Sequence, residues 1–494
     1  MGGNSRVERL GTEKIGKLLL EMSSQTTLSL LVYAAYSITD IYFLSVGIGS
    51  LAAAGAAIVS PVLIALGAVS TTVGAGGASV VSRALGEHDV EKASRTVANT
   101  FLIFWTAALA ITVLGSVFIQ PIVHLLGATD SIAPYAIEYG RIIFLGAITS
   151  TGYSAIIRAD GNARYSTAIW ILPVGANIVL CWLFILVLRF GVSGAALATV
   201  SGQTLSAGMS VYFFFFRKDR SYRIKASYFK PDWPIITQVL TIGLPSLIKN
   251  FSVSLVAIAT NNLLRMSGGD SALGVFAIVG RLYSGLITPQ TGIVQGMQPL
   301  VGYNFGQGHF ERVRETVRLS LSAAVVYGSL VCGVCLLLPA ALIALLSTES
   351  AIVAEGQTAL RLLALSYPLT GVVMVTAASF QSVGRAREAL LLTLGGTILV
   401  KLPPPGAAAG LPPVLRHRHL GRGGELRADP VPRLLPLAEE VASLELPPRR
   451  PCSAAHGRTA GGNQNRIRWI SISSRPSSLW LAKAASRAPR RCCT

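Results

Sequence analysis

Long uninterrupted runs of apolar residues constrain the fold of this chain more than any other feature of its sequence. Two examples are FLIFWTAALAITVLGSVFI at 101–119 and AAVVYGSLVCGVCLLLPAALIALL at 323–346. As a helix, each run is long enough to cross a hydrocarbon layer about 30 Å thick. Only 13% of the residues are charged, whereas a soluble domain carries about 25%. The fold class that follows is an all-α polytopic membrane protein.

The charges between the apolar runs predict how the chain is oriented. Basic residues lie almost entirely in alternate loops, and only Arg189 and Arg265 lie in the others. Because basic loops stay in the cytoplasm, we expect a cytoplasmic N-terminus and a multi-pass protein of the inner (plasma) membrane. Ten spans are predicted, with an eleventh beginning near residue 388, at 16–44, 51–81, 97–126, 132–157, 166–188, 192–216, 235–264, 271–301, 319–346 and 356–382.

An internal repeat relates the two halves of the chain. GEHDVEKASRTV, beginning at Gly86, resembles GQGHFERVRETV, beginning at Gly306, at an offset of about 220 residues, and GNAR at 161–164 resembles GRAR at 384–387. Six spans precede the second copy, so both copies enter the membrane from the same side. The repeat is therefore parallel and predicts two pseudo-symmetric six-helix lobes, an architecture suited to alternating access.

The composition changes abruptly near residue 400. Residues 401–494 hold more than half of the +19 net charge and more than half of the 24 prolines, starting with Pro403–Pro405. Prolines interrupt helices, and unpaired basic residues in a span are costly, so this segment is predicted to remain outside the membrane. The second lobe would then lack its last one or two helices. Out-of-frame translation of GC-rich codons explains the Arg, Pro and Ala content, and a genuine cytoplasmic tail is the alternative.

The predicted division of the chain follows from the repeat and from this change. It comprises an N-terminal lobe at 1–217, a cytoplasmic connector at 218–234, a truncated C-terminal lobe at 235–400 and a non-membrane tail at 401–494.

Several motifs resemble one transporter family. IGLPSLIKN, QGMQPLVGYNFGQG and FQSVGRAREALLL, together with Asp40 in YSITDIYFLSVG, are similar to the multidrug and toxic compound extrusion (MATE) family over about residues 15–400. QGMQPLVGYNFG resembles a bacterial drug-exporting branch. The resemblance implies a multidrug efflux antiporter that exchanges H+ or Na+ for small organic, often cationic, compounds. It implies contact with membrane lipid and a monomer, with no cofactor beyond the coupling ion, no metal site, no nucleic-acid partner and no enzymatic activity.

Asp40 is the strongest candidate for the coupling-ion site. An ionisable residue inside a span is costly and usually faces a cavity or an ion pathway. Burial disfavours the carboxylate, so such a carboxyl can take up and release a proton. Asp40 also matches the acidic residue in the family's first helix. The alternative is a solvated carboxyl near the membrane edge.

The sequence PVGANIVLCW at 173–182 matches the family pattern only in part. The family often places an acid and a proline four and five residues after an asparagine. Here Asn177 matches, but Cys181 stands where the acid would be. Asn177 and Cys181 lie one turn apart on the same helix face. A second carboxyl is therefore missing, and Asn177 could equally form an interhelical hydrogen bond.

Polar residues in the second half are candidates for the substrate or ion cavity. Lys249 lies in the seventh predicted span with Asn261, and Gln295 and Gln298 lie in the eighth. Lys249 could instead extend its ammonium to the cytoplasmic interface, and the glutamines could form hydrogen bonds between helices.

Two other functions remain open from the sequence. A flippase for lipid-linked saccharides has a related two-lobe architecture, but it would be expected to carry several basic cavity residues. A non-transporting membrane protein could use the basic tail to bind anionic lipid.

Overall fold

The computed structural model describes the backbone of residues 2–126, 128–149, 152–218, 220–347 and 349–401. Within them it also describes the side chains, except at residues 2–5, 37, 38, 41, 50, 254, 255, 257–259, 261–273, 350, 351 and 397–401. The helices are α1 Gly2–Thr12, α2 Ile15–Gly47, α3 Ser50–Gly86, α4 Val90–Val117, α5 Ile119–Leu125, α6 Ala133–Leu145, α7 Tyr153–Ala159, α8 Ala163–Cys181, α9 Gly191–Val211, α10 Trp233–Gly306, α11 Phe310–Leu337, α12 Pro339–Ala344, α13 Ser350–Ala364, α14 Ser366–Ser382 and α15 Ala386–Lys401.

The predicted all-helical membrane fold is confirmed. Six helical segments of the described part are long and apolar enough to cross a membrane, at Leu51–Gly86, Val90–Val117, Ala133–Ala159, Ala163–Val187, Phe310–Leu337 and Ile352–Ser382. The other predicted spans also fall on helices, namely α2, α9, α10 and α15. The predicted tail, apart from Lys401, lies outside the described residues.

The seventh and eighth predicted spans form the two arms of α10. A Cβ atom at Gly76 of α3 would collide with Val239 in the first arm, and one at Gly302 in the second arm would collide with Ser82 of α3. A straight helix would separate Val239 from Gly302 by about 95 Å at ~1.5 Å per residue, whereas six residues of α3 span only about 9 Å. The chain therefore reverses its direction within α10, as two separate spans require.

Contacts between the lobes follow the internal repeat. Ser82 and Gly302 correspond to each other in the repeat, and they touch across the lobe interface. Gly86 and Gly306 also correspond, and each packs against the backbone of the opposite lobe. Equivalent residues can meet in this way only close to a symmetry axis. The predicted pseudo-twofold relation between the lobes is therefore present where α3 and α10 cross.

The buried side chains show where the lobes are joined. One apolar cluster contains residues of both lobes, including Val80 of α3 and Leu300 of α10. These residues lie near the ends that carry the basic loops. At the opposite ends, the described buried residues form two separate clusters, one around Leu44 and Val192 in the N-terminal lobe and one around Val331 in the C-terminal lobe. The lobes are therefore closed together at the end that carries the basic loops.

Candidate functional site

Asp40, Cys181 and Asn177 meet inside the N-terminal lobe. The Cys181 thiol lies 3.6 Å from Asp40 Oδ1 and 3.6 Å from Asn177 Oδ1. Cys181 and Asn177 are buried, and Asp40 is partly buried. The spacing on α8 predicted that Asn177 and Cys181 share a face, and the fold places Asp40 of α2 against that face.

The hydrogen-bond donors and acceptors of Asp40, Cys181 and Asn177 do not match in number. A thiol carries one hydrogen, so Cys181 can donate to Asp40 or to Asn177 but not to both at once. The buried amide nitrogen of Asn177 has no hydrogen-bond partner among the described residues. Such a buried polar group usually marks a functional constraint or a bound water or ion. One hydrogen-bonding position of the cluster is therefore unused in this structure.

Tyrosine and threonine side chains form a second group beside Asp40. The Tyr36 hydroxyl lies 3.3 Å from the Thr199 hydroxyl of α9. Tyr139 of α6 is fully buried and lies near both Asp40 and Thr199. Sequence reasoning missed these three residues. Tyr36 could have been found, because it precedes Asp40 by one helical turn and shares its face.

Irregular helix geometry accompanies the site on α8. Pro173 has no N–H, so the carbonyl of Ile169 lacks its usual helical partner. The Ser206 hydroxyl of α9 donates to this carbonyl at 3.2 Å and joins the two helices. Immediately after Cys181, residues Trp182–Val187 form a π-helical turn. Turns of this kind occur frequently at functional sites.

An aromatic group lies beside the carboxyl. Tyr33 precedes Tyr36 on α2, and the two ring centroids are 5.7 Å apart. The Tyr33 ring also meets the Trp170 ring of α8 edge to face, at 5.3 Å. The Tyr33 side chain is 46% exposed. Aromatic faces of this kind attract organic cations.

Helix α2 serves both the site and the lobe interface. Thr27 packs against Gly292 of α10. Tyr36 follows Thr27 by nine residues, which is about two and a half turns, so their side chains project from opposite sides of α2. The site therefore faces the interior of the N-terminal lobe, and the other side of the same helix contacts the C-terminal lobe.

The predicted cavity residues of the second half all belong to α10. Lys249 is in the first arm of α10 and has an interaction partner. The side chain of Asn261 lies outside the described part of the structure. Gln298 donates to Gln381 Oε1 of α14 at 3.2 Å, which is the interhelical bond that the sequence left open. A cavity role for these residues stays a prediction.

Gln295 lies at the lobe interface. Its Oε1 atom accepts a hydrogen bond from Arg158 of α7 at 3.1 Å. The Arg158 guanidinium also donates to Ser166, at 3.3 Å, and is almost completely buried. Gln295 thus connects the two lobes near the ends that carry the basic loops. Sequence reasoning did not anticipate this contact, because Arg158 appeared only as a loop residue.

Proteins with similar sequences are membrane transporters. The chain is 24% identical over 399 residues to the FAD transporter of Shewanella oneidensis, covering 79% of this chain and 87% of the relative. It is 25% identical over 390 residues to the multidrug export protein MepA of Staphylococcus haemolyticus, covering 78% of this chain and 86% of that protein.

Solved structures and a family model lead to the same assignment. A crystal structure of a MATE mutant superposes with a TM-score of 0.75 at 26% identity, over 81% of this chain and 91% of that one. A multidrug resistance MATE transporter in an outward-facing conformation superposes with a TM-score of 0.73 at 25% identity. The superposition covers 80% of this chain and 90% of that one. The MatE family model matches residues 26–183 and 245–404. The chain therefore belongs to the MATE family of membrane transporters.

Proposed function

We propose that this protein exports organic cations from the cytoplasm in exchange for protons, and that Asp40 binds the proton. The observation that carries the proposal is the contact of Asp40 with the Cys181 thiol, which in turn lies against Asn177. When Asp40 is charged, the thiol donates to it. When Asp40 is protonated, the thiol turns its hydrogen to Asn177. Proton binding thereby changes the contact between α2 and α8.

The donor set favours H+ over Na+ as the coupling ion. Hard cations prefer carboxylate, carbonyl and water oxygens, whereas a thiol is a soft ligand. Cys181 occupies the position at which the family resemblance predicts a second acid. Within the described residues, no group of three or more His, Cys, Asp or Glu side chains is placed to hold a metal ion.

The surroundings of Asp40 favour a cationic substrate. The site combines a carboxyl with the Tyr33 and Trp170 rings, which together suit a positively charged aromatic compound. An anionic dinucleotide such as FAD, which the Shewanella relative is named for, would meet repulsion from the carboxylate. The MepA relatives are named for multidrug export, which supports small organic compounds as the substrate class.

The proposed cycle uses the joined cytoplasmic ends of the lobes. With the basic loops in the cytoplasm, this structure corresponds to the state open to the outside, in which substrate leaves and a proton enters. Protonation of Asp40 shifts α2, whose opposite side contacts α10, and the lobes then separate at the cytoplasmic end.

The test is transport by the full-length chain in proteoliposomes, measured by the movement of a fluorescent organic cation under an imposed pH gradient. We expect Asp40→Asn to reduce proton-driven transport at least tenfold, because the amide cannot exchange a proton at this site. Cys181→Ser is the matched variant, since a hydroxyl also donates one hydrogen, and it should retain most of the transport.

Wild-type rates in Asp40→Asn would contradict the assignment of Asp40. Transport that follows a sodium gradient and ignores the pH gradient would contradict proton coupling.

A further inference from the structure

We propose that α1 is a cytoplasmic strap that holds the two lobes together in the outward-open state. The inference rests on the alternating-access cycle proposed above. It does not depend on which substrate or ion is carried.

The first half of α1 binds the turn between α7 and α8 in the N-terminal lobe. Arg6 Nη1 donates to Asn162 Oδ1 at 2.8 Å. Asn162 is buried and donates in turn to Asp160 Oδ2 at 3.3 Å. The preceding Gly161 has a φ of 75° and faces the Arg6 carbonyl without a side chain in between. The polar end of α1 is therefore fixed to one lobe.

The last turn of α1 binds the C-terminal lobe through its carbonyl groups. The Leu10 carbonyl accepts from Asn304 Nδ2 at 3.0 Å and from Arg312 Nη2 at 3.2 Å. Arg312 Nη2 also donates to the Glu13 carbonyl at 2.7 Å. The final carbonyls of a helix have no partner within it, and a cation is favourable there. Arg312, which belongs to the C-terminal lobe, thus supplies both the missing hydrogen-bond donors and the positive charge.

The two binding residues of the C-terminal lobe support each other. Arg312 Nε donates to Asn304 Oδ1 at 2.9 Å, and Asn304 is fully buried. Their counterparts in the repeat are Lys92 and Ala84. Lys92 pairs with Glu87 in its own loop, at 3.2 Å, and alanine has no polar side-chain atom. The docking site for α1 therefore exists in one lobe only, which is consistent with a single strap.

The strap spans the interface that must open. Separation of the lobes at the cytoplasmic end moves Arg312 away from the turn that carries Asn162. Helix α1 cannot remain attached to both, so it releases one contact each time the transporter turns inward. Its hydrogen bonds consequently add to the stability of the outward-open state alone.

The test is a distance measurement by pulsed electron spin resonance on the full-length protein in lipid nanodiscs. Val90 and Glu315, one in each lobe, are replaced by a ketone-bearing residue for labelling, which leaves the native cysteines in place. We expect Arg312→Ala to raise the ratio of long to short distances by about tenfold or more, because one charge-assisted hydrogen bond corresponds to about tenfold and Arg312 donates to both the Leu10 and the Glu13 carbonyl. Deletion of residues 2–12 should do the same.

The control is Arg318→Ala, six residues further along α11. Arg318 is exposed and projects from a different face of the helix than Arg312, so the distances should not change. Unchanged distances in both Arg312→Ala and the truncated chain would overturn the proposal, as would an equal shift in Arg318→Ala. If Arg312→Ala does not fold, the distances measured in the chain that lacks residues 2–12 test the proposal by themselves. The distance measurement needs no substrate. A failure of the transport test of Asp40→Asn or of the wild type therefore does not affect the test of the strap.

Discussion

At the scale of single residues, glycines decide how closely the lobes approach. The sequence GAGGAS at Gly74–Ser79 consists of small residues, and the helices pack closely there. A Cβ atom at Gly76 would collide with the carbonyl oxygen of Val239, and Gly74 faces the Gly152 carbonyl of its own lobe. Backbone atoms cannot rotate away as a flexible side chain can. These glycines therefore permit contacts that any larger residue would prevent.

Replacement of Gly76 by alanine should destabilise the protein. The added methyl group pushes α3 away from the first arm of α10, and overpacking of this kind costs about 1–3 kcal/mol. The measurement is thermal unfolding in detergent, where we expect a lower apparent Tm. Gly175→Ala is the matched control, since nothing lies within 4 Å of a Cβ atom there. Helix propensity alone would leave that variant unchanged or slightly more stable. Equal Tm values for the two variants would refute the packing argument.

At the scale of helices, the two lobes are not equally complete in the described structure. In the N-terminal lobe, α9 packs against α6 and α8. By the repeat, the corresponding helices of the C-terminal lobe are α13 and α15, and no described residue supplies a counterpart of α9. The second family match ends at 404, at nearly the same repeat position as the first match at 183. Family-like sequence thus continues to the end of α15.

We propose that the reading frame of the gene is lost near the codon for Lys401. Resequencing from the codon for Phe380 to the stop should find one inserted or missing base. Its repair should restore two apolar spans, because the repeat requires counterparts of the end of α8 and of α9. A cell expressing the repaired gene should contain more folded transporter, since the faces of α13 and α15 that correspond to the α9-binding faces of α6 and α8 regain a partner. An intact frame would mean instead that the basic tail is a genuine part of the protein.

At the scale of the whole molecule, the lobes meet about a pseudo-twofold axis near Ser82 and Gly302. An ideal Cβ atom at Gly302 lies 3.1 Å from the Ser82 Cβ. Disulfides need about 3.5–4.5 Å between Cβ atoms, so a small backbone adjustment would admit one. In the proposed cycle the lobes separate at this end, which carries the basic loops, so the contact between Ser82 and Gly302 breaks each time the transporter turns inward.

The double variant Ser82→Cys with Gly302→Cys should therefore lock the transporter. We expect an oxidised sample to lose transport in proteoliposomes and a reducing agent to restore it, because the disulfide prevents the lobes from separating. Each single variant, treated with the same oxidant, controls for the native cysteines. Undiminished transport by the cross-linked double variant would show that the lobes do not separate at this contact.

The sequence by itself determined the helical membrane fold, the positions of the spans and the parallel repeat. It also predicted the shared helix face of Asn177 and Cys181 and singled out Asp40 as a candidate, whose role stays a prediction. These features are recorded locally, in runs of apolar residues, in helical spacing and in a repeated register.

Only the tertiary structure decided which helix faces meet. It placed Asp40 against Cys181, brought Tyr139 and Thr199 beside them, and bonded Gln295 to Arg158 across the lobes. It also placed α1 across the cytoplasmic interface, although the sequence showed merely a polar N-terminus there. Each of these contacts joins residues far apart in the chain. Helical periodicity shows which side chains share a face, and the packing of the whole bundle selects the face that lies opposite.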